Sequence, residues 1–220
     1  MAAKTRVRVR EQRASLLHGI YVIVNESART VEIARGALEA GIAVVQYRAK
    51  RGIVAKTLQS LREMTRRHGA LLIVNDDVEA VHAFDCDGVH LGPDDAGFYD
   101  VPRVRRVLPD RVIGLSCGTV EEARPSRTEG ADYLGVGSVF ATASKEDAGE
   151  PIGVEGLSRV AAITPLPVAA IGGITIDNVR DVCRSGVAMA ALISAISGAE
   201  DPHTAARALV DAWRRATERP

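Results

Sequence analysis

The chain has 220 residues, of which 46% are hydrophobic and 25% are charged, the composition of an ordinary globular protein. Lys and Arg together number 28, and Asp and Glu together also number 28, so the formal net charge is zero. This balance argues against bulk attraction to nucleic acid or to an anionic membrane, and any anion-binding site must therefore be local.

The cysteines and the N-terminal segment favour a cytoplasmic protein. Cys86, Cys117 and Cys183 lie far apart, without the paired spacing of a zinc site and without a disulfide framework, which fits a reducing compartment. The most apolar stretch, residues 187–196, is too short to span a bilayer. Residues 1–14 are basic and lack the apolar core of a secretory signal, so we expect a disordered tail or a fraying first element there.

Eight apolar runs occur along the rest of the chain, and each ends in a polar or glycine-rich cluster. They are continuously apolar rather than alternating, which predicts parallel strands covered on both faces. The runs are Gly19–Val24, Ile42–Val45, Leu71–Val74, Gly88–Leu91, Val112–Leu115, Tyr133–Val136, Val168–Ile171 and Val187–Ile193.

Helical patterns separate these runs. Apolar residues at helical spacing precede Gly41 and Gly69, each of which is expected to close a helix in a left-handed conformation. Thr119 with Glu122 has the form of a capping box, and Pro125 is expected to kink or shorten the helix that follows.

Eight strand–helix alternations predict an α/β fold: a single-domain (β/α)8 TIM barrel over residues 15–220. A doubly wound open sheet is the alternative, although it usually has fewer strands and a dinucleotide-binding fingerprint. Neither G-x-G-x-x-G nor a Walker A pattern follows any of the eight runs.

The end of the second strand carries the strongest functional signal. Side chains alternate across a strand, so Gln46, Arg48 and Lys50 are expected on one face. Two cations at the end of a buried strand are costly unless carboxylates or an anion neutralise them, and a diphosphate would do so. The alternative is a strand end that frays into solvent with ordinary surface charges.

Polar clusters also follow the other strands, at the carboxyl ends where barrel enzymes carry their active sites. Each has an ordinary explanation as turn chemistry. His90 is interpreted as a core or turn histidine and is left out of the site. The clusters are Asn75–Asp77, Gly92–Asp95, Ser116–Gly118, Thr142–Lys145, Gly172–Gly173 and Ser194.

Taken together, these clusters predict two anion-binding loci. Gly172–Gly173 and Ser194 flank the loops after the seventh and eighth strands, where such barrels usually bind phosphate. Lys145 joins the cations of the second strand in the other locus. Asp76 and Asp95 add the oxygen ligands that suit Mg²⁺, which usually takes one or two carboxylates plus substrate phosphates.

The ordered set of motifs resembles the thiamine phosphate synthase family from about Gly19 to Ile196. The motifs are Gln-x-Arg-x-Lys, Asn-Asp, Asp-Gly-Val-His-Leu-Gly-x-x-Asp, Gly-x-Ser, Gly-x-Gly-x-x-Phe-x-Thr-x-Ser-Lys, Ile-Gly-Gly-Ile and Ile-Ser-Ala-Ile. The resemblance implies a transferase that joins a hydroxymethylpyrimidine diphosphate to a thiazole phosphate, with Mg²⁺ as cofactor, giving thiamine monophosphate and diphosphate. It implies these small molecules as the partners, with no nucleic acid and no membrane, and it leaves a homo-oligomer open.

Site residues follow from the resemblance by motif position. It implies Asp76 and Asp95 as metal ligands and assigns catalysis to Arg48, Lys50, Ser116 and Lys145. It implies substrate contacts by Gln46, Tyr47, Arg48, Ala49, Lys50, Asn75, Ser116, Thr142, Ala143, Ser144, Lys145, Gly173, Ile193 and Ser194.

Three other functions stay open at this stage. A thiazole tautomerase of the same fold would have lost the diphosphate and metal set, which is present here. A non-catalytic sensor of thiamine precursors would bind without turnover. A sugar-phosphate isomerase or epimerase would need an acid–base pair, and the sequence offers none as coherent as the diphosphate set.

Overall fold

A computed structural model describes residues 2–92, 100–125, 127–142 and 150–218. Eight parallel strands close a barrel in sequence order, and β1 pairs with β8, so the TIM-barrel prediction is confirmed and the open-sheet alternative is wrong. The strands are β1 Gly19–Asn25, β2 Val44–Arg48, β3 Leu71–Asn75, β4 Gly88–Leu91, β5 Val112–Cys117, β6 Tyr133–Val136, β7 Val168–Ile171 and β8 Met189–Leu192.

The helices lie before, between and after the strands. They are α1 Ala2–Ala14, α2 Thr30–Glu39, α3 Ala55–His68, α4 Val78–Ala83, α5 Val101–Val107, α6 Gly153–Ile163, α7 Val179–Arg184, α8 Ser194–Ser197 and α9 Pro202–Thr217. As predicted, Gly69 ends α3 in a left-handed conformation with φ of 64°, and Gly41 after α2 has φ of 90°. Among the helices described, none has both the length and the apolar character needed to cross a bilayer.

The connection between β5 and β6 departs from the expectation of a shortened helix. Its described residues form turns, in which the Glu122 N–H bonds to Thr119 Oγ1 at 3.2 Å. The Glu122 carboxylate accepts from the Gly118 N–H at 2.7 Å and not from Thr119, so the capping box is incomplete. Pro125 lacks an N–H and clashes with the preceding turn of a helix, which explains why the first turn does not propagate.

Alternation along the strands divides the core into two layers. Tyr21 and Ile23 face the barrel interior, whereas Val22 and Val24 pack against the surrounding helices. The interior layer contains Leu17, Tyr21, Ile23, Val44, Leu71, Ile73, Val112, Tyr133, Ala169, Met189 and Ala191. Because both faces of each strand are buried, the strands read as continuous apolar runs, the pattern that the sequence shows.

The amino ends of the strands meet a network of ion pairs. Helix α1 joins it through Arg10, which pairs with Asp132 at 3.5 Å, and through Arg13, which pairs with Asp87 at 3.2 Å. Residues 1–14, for which the sequence left disorder or a fraying element open, are therefore helical over Ala2–Ala14 and in contact with the barrel. Leu17, just after α1, packs into the interior layer from this end.

Asp87 is a buried acid at the centre of this network. It is 7% exposed, and its carboxylate accepts from the Leu72 N–H at 3.0 Å, from Arg62 at 2.6 Å and from Arg13 at 3.2 Å. Its removal would leave a backbone N–H and two guanidinium groups without their buried acceptor.

We therefore expect Asp87→Ala to lower the free energy of unfolding by about 3 to 5 kcal/mol, the usual cost of breaking a buried pair. Urea unfolding followed by circular dichroism measures this change. Glu63→Ala is the control, because Glu63 pairs with Arg67 on the exposed surface of α3, where such a pair is worth about 1 kcal/mol or less. Equal effects of the two variants would contradict this role for Asp87.

Candidate active site

All eight strands are parallel, so their carboxyl ends lie at one rim of the barrel, the end at which barrel enzymes react. The register aligns the motifs there: Asn25 pairs with Arg48, Asn75 with His90, and Ser116 with Gly135. The structure thus brings the polar ends of β1 to β6 together.

The residues of β2 alternate as predicted. Gln46 is 2% exposed and donates from Nε2 to the Tyr21 hydroxyl in the barrel interior at 2.5 Å. Tyr47 belongs to the outer layer, where Ala49 also packs, so the side chains of these two predicted substrate contacts lie on the helix side. Over the described residues, Arg48 and Lys50 form no salt bridge, and Lys50 is exposed.

Asp76 follows β3 in an uncommon backbone conformation. Its φ is 69°, in the left-handed region that Asp and Asn tolerate better than most residues. Its N–H donates to the His90 carbonyl oxygen at 2.9 Å, and its carboxylate accepts from the Asn75 side-chain amide. Backbone pairing with β4 therefore fixes the first of the two predicted metal ligands at the rim.

A chain of hydrogen bonds crosses the barrel interior below the rim. From Gln46 and Tyr21 it continues to Tyr133, whose hydroxyl lies 2.9 Å from that of Tyr21. The Tyr133 hydroxyl lies 3.0 Å from His90 Nδ1, and His90 Nε2 lies 3.0 Å from Ser116 Oγ. The chain joins five strands and ends at Ser116, a predicted catalytic residue.

Gln46 sets the direction of this chain. An amide nitrogen only donates, so the hydroxyl proton of Tyr21 is left for Tyr133, whose own proton then goes to His90 Nδ1. A neutral His90 therefore carries its proton on Nε2 and donates to Ser116. In this arrangement Ser116 Oγ accepts from His90, and the chain does not use the Ser116 hydroxyl proton.

Two strand glycines make room for this chain. A Cβ at Gly114 would lie 2.2 Å from the Tyr133 ring, and one at Gly135 would lie 2.8 Å from the His90 ring. Sequence reasoning left out His90 and did not consider Tyr21 or Tyr133 as site residues. The available signal was the pair of glycines inside otherwise apolar strands, because a mid-strand glycine often marks a close approach.

The ends of β6 and β7 pack tightly against each other. A Cβ at Gly172 would lie 2.0 Å from Ser138 Oγ, and one at Gly173 would lie 2.5 Å from the Ala141 carbonyl oxygen. The Phe140 N–H donates to the Gly172 carbonyl oxygen at 3.0 Å. This packing brings the predicted phosphate-site residues of both loops together, since Thr142 directly follows Ala141.

The family model for thiamine monophosphate synthase matches residues 20–196. The chain belongs to this family. A thiamine biosynthesis bifunctional protein from Symbiobacterium thermophilum is 46% identical over 90% of this chain, and the chain spans 41% of that relative. The thiamine-phosphate synthase of Moorella thermoacetica is 44% identical, over 85% of this chain and 90% of that protein.

A solved structure of a thiamine phosphate pyrophosphorylase from Pyrococcus furiosus has the same fold, with a TM-score of 0.82. It is 38% identical, and the match covers 91% of this chain and 97% of that chain. The sequence resemblance to the family is thus confirmed over nearly the whole barrel.

Four site residues that the family resemblance implies lie outside the described residues. They are Asp95, Ala143, Ser144 and Lys145. Within the described ranges, no three His, Cys, Asp or Glu side chains come together as a metal site, and Asp76 is the one member of the predicted metal pair whose position is described.

The buried tyrosines determine how the stability of the protein responds to alkaline pH. Burial raises the pKa of Tyr21 and of Tyr133, and burial together with the neighbouring Glu26 raises the pKa of Tyr47 to about 12. An unfolded tyrosine ionises near pH 10, so the folded protein keeps these protons where the unfolded chain loses them. The stability that depends on these protonated tyrosines is therefore fully present below about pH 10, and it falls as the pH rises further.

We expect at most one of the four tyrosines to form tyrosinate in the folded protein at about pH 11. An ultraviolet absorbance titration measures this number, with circular dichroism to confirm that the protein is folded. The urea midpoint should fall over the same pH range. Ionisation of all four near pH 10 in folded protein would show that the hydroxyl chain is open to solvent.

Proposed function

We propose that this protein is a thiamine-phosphate synthase, which couples a hydroxymethylpyrimidine diphosphate to a thiazole phosphate and releases diphosphate. Family membership supports the proposal. The observation that carries it is the end of β2, where Arg48 and Lys50 stand without salt bridges in the described part of the chain, beside the Asn75–Asp76 end of β3.

In this proposal the diphosphate lies over the ends of β2 and β3. Arg48 and Lys50 neutralise its charge, with Lys145, and Asn75 donates a hydrogen bond. Cations that lack a protein carboxylate gain the most from an anion, since no existing pair has to be broken. Gln46 lies below the diphosphate in this proposal, and its hydrogen bond to the Tyr21 hydroxyl holds it at the floor of the site.

Asp76 fits a magnesium ion in its chemistry and its position. Its carboxylate is a hard oxygen donor at the rim, next to the strand that carries the cations. Mg²⁺ usually binds one or two carboxylates and completes its shell with water and substrate phosphates, so three protein ligands are not required. We propose that Asp76 and Asp95 hold the ion, which when bound supplies positive charge to the diphosphate.

Ser116 is proposed to contact the pyrimidine. The direction of the hydrogen-bond chain leaves its hydroxyl proton for a ligand, and ring nitrogens of a pyrimidine are acceptors. His90, which is partly exposed, holds Ser116 in place and gives the floor an aromatic ring, and the buried Tyr133 ring supports it from below with ring centroids 5.5 Å apart. A planar heterocycle suits such a floor.

The thiazole phosphate is proposed to bind at the ends of β6, β7 and β8. Gly173 has a positive φ of 64° and approaches the loop that leads to Thr142, so backbone groups can come close to phosphate oxygens there. Ile193 and Ser194 border the same locus, because β8 pairs with β7. Ala143 and Ser144 follow Thr142 in the sequence and are proposed to contact the same phosphate.

The reaction breaks the bond between the pyrimidine methylene carbon and a diphosphate oxygen, and the electron pair leaves with the diphosphate. The lone pair of the thiazole nitrogen then forms the new bond to that carbon. This nitrogen has no proton to lose, so the step needs no general base. The site instead has to stabilise the leaving group and align two substrates, which cations and a preorganised floor accomplish.

We also propose a cytoplasmic location. The three cysteines described are all free, and two of them, Cys86 and Cys117, are buried. Burial raises the pKa of both thiols to about 12, so they stay protonated and unreactive. Free thiols of this kind fit a reducing compartment.

The test of function is to incubate the purified protein with both substrates and Mg²⁺ and to detect thiamine monophosphate by mass spectrometry. We expect product with Mg²⁺ and none when EDTA is added in excess. In the same assay Asp76→Asn should lower the rate on the order of 10²–10³-fold, by analogy with losses of charge stabilisation. Asparagine is chosen because it tolerates the positive φ at this position.

Asp77→Asn is the matched control for that variant. Asp77 is the N-cap of α4, where it accepts from the Ala80 N–H at 2.7 Å, and asparagine keeps that bond. Its rate and Mg²⁺ requirement should stay near those of the unmodified protein. Folded protein that binds thiazole phosphate without forming product would contradict the proposed function, and a fully active Asp76→Asn would remove Asp76 from the metal site.

Gly173→Ala tests the phosphate locus. The new methyl group would meet the Ala141 carbonyl oxygen at 2.5 Å, so the loop carrying Thr142 must shift. We expect the KM for the thiazole phosphate to rise by about tenfold or more, since a misplaced loop loses hydrogen bonds to a charged group. Initial-rate kinetics with each substrate varied in turn measure this change.

Gly186→Ala separates that effect from backbone strain. Gly186 also has a positive φ, of 86°, but its added Cβ would meet nothing within 4 Å. We expect a small loss of stability and an unchanged KM for this control. Equal effects on KM in the two variants would place the thiazole phosphate elsewhere.

A further inference from the structure

The turn that follows β2 has a defined geometry. The Gly52 N–H donates to the Ala49 carbonyl oxygen at 3.1 Å, and Gly52 has φ of 99°. Lys50 and Arg51 therefore occupy the two central positions of a β-turn, and Arg48 lies at the strand end just before it. If the proposed function holds, this turn presents the cations that bind the diphosphate.

The Tyr47 hydroxyl joins the two ends of this turn. Tyr47 is the residue before Arg48, its side chain is fully buried in the outer layer, and its hydroxyl accepts from the Val54 N–H at 3.3 Å. The same hydroxyl donates to Glu26 Oε2. Burial and the Glu26 carboxylate raise the pKa of Tyr47 to about 12, so the hydroxyl keeps its proton at neutral pH.

Glu26 anchors the turn to the neighbouring strand. It directly follows β1, and its N–H donates to the Arg48 carbonyl oxygen at 2.9 Å. Its Oε1 accepts from Thr57 Oγ1 at 3.3 Å. Thr57 lies in the first turn of α3, where a carboxylate also interacts favourably with the positive end of the helix. Glu26 thus contacts both the strand before the turn and the helix after it.

We propose that Glu26 and Tyr47 are positioning residues that fix Arg48 and the turn 49–52 before the diphosphate arrives. The side chain of Tyr47 lies on the side of β2 opposite Gln46, so it acts through Arg48 and Lys50 rather than on the substrate. Ordering a charged loop during binding costs free energy, and a loop that is already ordered avoids this cost. The clamp, defined as Glu26, Tyr47 and Thr57, therefore raises affinity for the diphosphate substrate alone.

Tyr47→Phe tests the clamp while the ring still fills the core. It removes the donor to Glu26 and the acceptor for the Val54 N–H. We expect the KM for the pyrimidine diphosphate to rise about tenfold, the usual effect of losing a hydrogen bond to a charged group. The KM for the thiazole phosphate should stay unchanged, because its proposed locus lies on β6 to β8. Initial-rate kinetics with each substrate varied separately measure both values.

Thr57→Val and Thr65→Val form a matched pair on the same helix. Thr57 donates to Glu26, whereas the hydroxyl of Thr65 bonds to the Arg62 carbonyl oxygen within α3. We expect Thr57→Val to raise the KM for the diphosphate substrate about two- to fourfold, as for the loss of a weaker neutral donor. Thr65→Val should leave both KM values unchanged.

Limited proteolysis measures how often the turn opens and does not depend on enzymatic activity. Trypsin cleaves after lysine and arginine, and Lys50 and Arg51 occupy the turn itself. We expect Tyr47→Phe to accelerate cleavage after these two residues at least about fivefold, because a turn that has lost the hydrogen bonds of the Tyr47 hydroxyl opens more often. Cleavage after Arg159, on the distant helix α6, should keep its rate. Peptide mass mapping at short digestion times measures all three sites.

The combined outcomes separate the clamp from the proposed function. Faster cleavage at the turn together with a selective rise in the KM for the diphosphate substrate would support the clamp. Unchanged cleavage, unchanged KM values, or an equal rise of both KM values would overturn it. If the unmodified protein forms no thiamine monophosphate, the proposed function fails and the substrate part of this inference fails with it, whereas proteolysis still reports whether Tyr47 holds the turn.

Discussion

Closure of eight parallel strands leaves no edge and little water inside, so polar side chains in the barrel must bond to one another. One continuous chain of hydrogen bonds across five strands meets this requirement. It is formed by Gln46, Tyr21, Tyr133, His90 and Ser116. Because Gln46, Tyr21 and Tyr133 are buried and hydrogen-bonded to one another, the chain holds Ser116 in a fixed position through His90. The floor of the candidate site is therefore ordered before any ligand binds, and the residues at the rim have to supply the charge.

The two ends of the barrel use charge in opposite ways. At the amino ends of the strands, arginines are matched by aspartates such as Asp87 and Asp132, which also accept backbone N–H groups, and this network serves stability. At the carboxyl ends, Arg48 and Lys50 have no carboxylate partner in the described part of the chain. Such a division is common in barrels, where the carboxyl face reacts and the amino face stabilises.

The fold could be predicted because each strand is buried on both faces and therefore reads as an uninterrupted apolar run. The connection between β5 and β6 could not be predicted with the same success: a local capping signal favours a helix there, but Pro125 outweighs it and the described residues form turns. In the site, alternation correctly separated Gln46, which bonds to Tyr21 in the barrel interior, from Tyr47 in the outer layer, and the same rule argues against substrate contact by the Tyr47 side chain. The partnership of Tyr21 with Tyr133 joins residues 112 positions apart, which no local pattern encodes.

The proposed function requires two separate anion loci in one barrel mouth, one on β2 and β3 and one on β6 to β8. Isothermal titration of inorganic diphosphate with Mg²⁺ into protein already saturated with the thiazole phosphate tests whether the loci are separate. We expect one diphosphate to bind per chain, with nearly the same affinity as in the absence of the thiazole phosphate. Competition between the two ligands would mean that they share a single locus, and the two-locus arrangement would then be wrong.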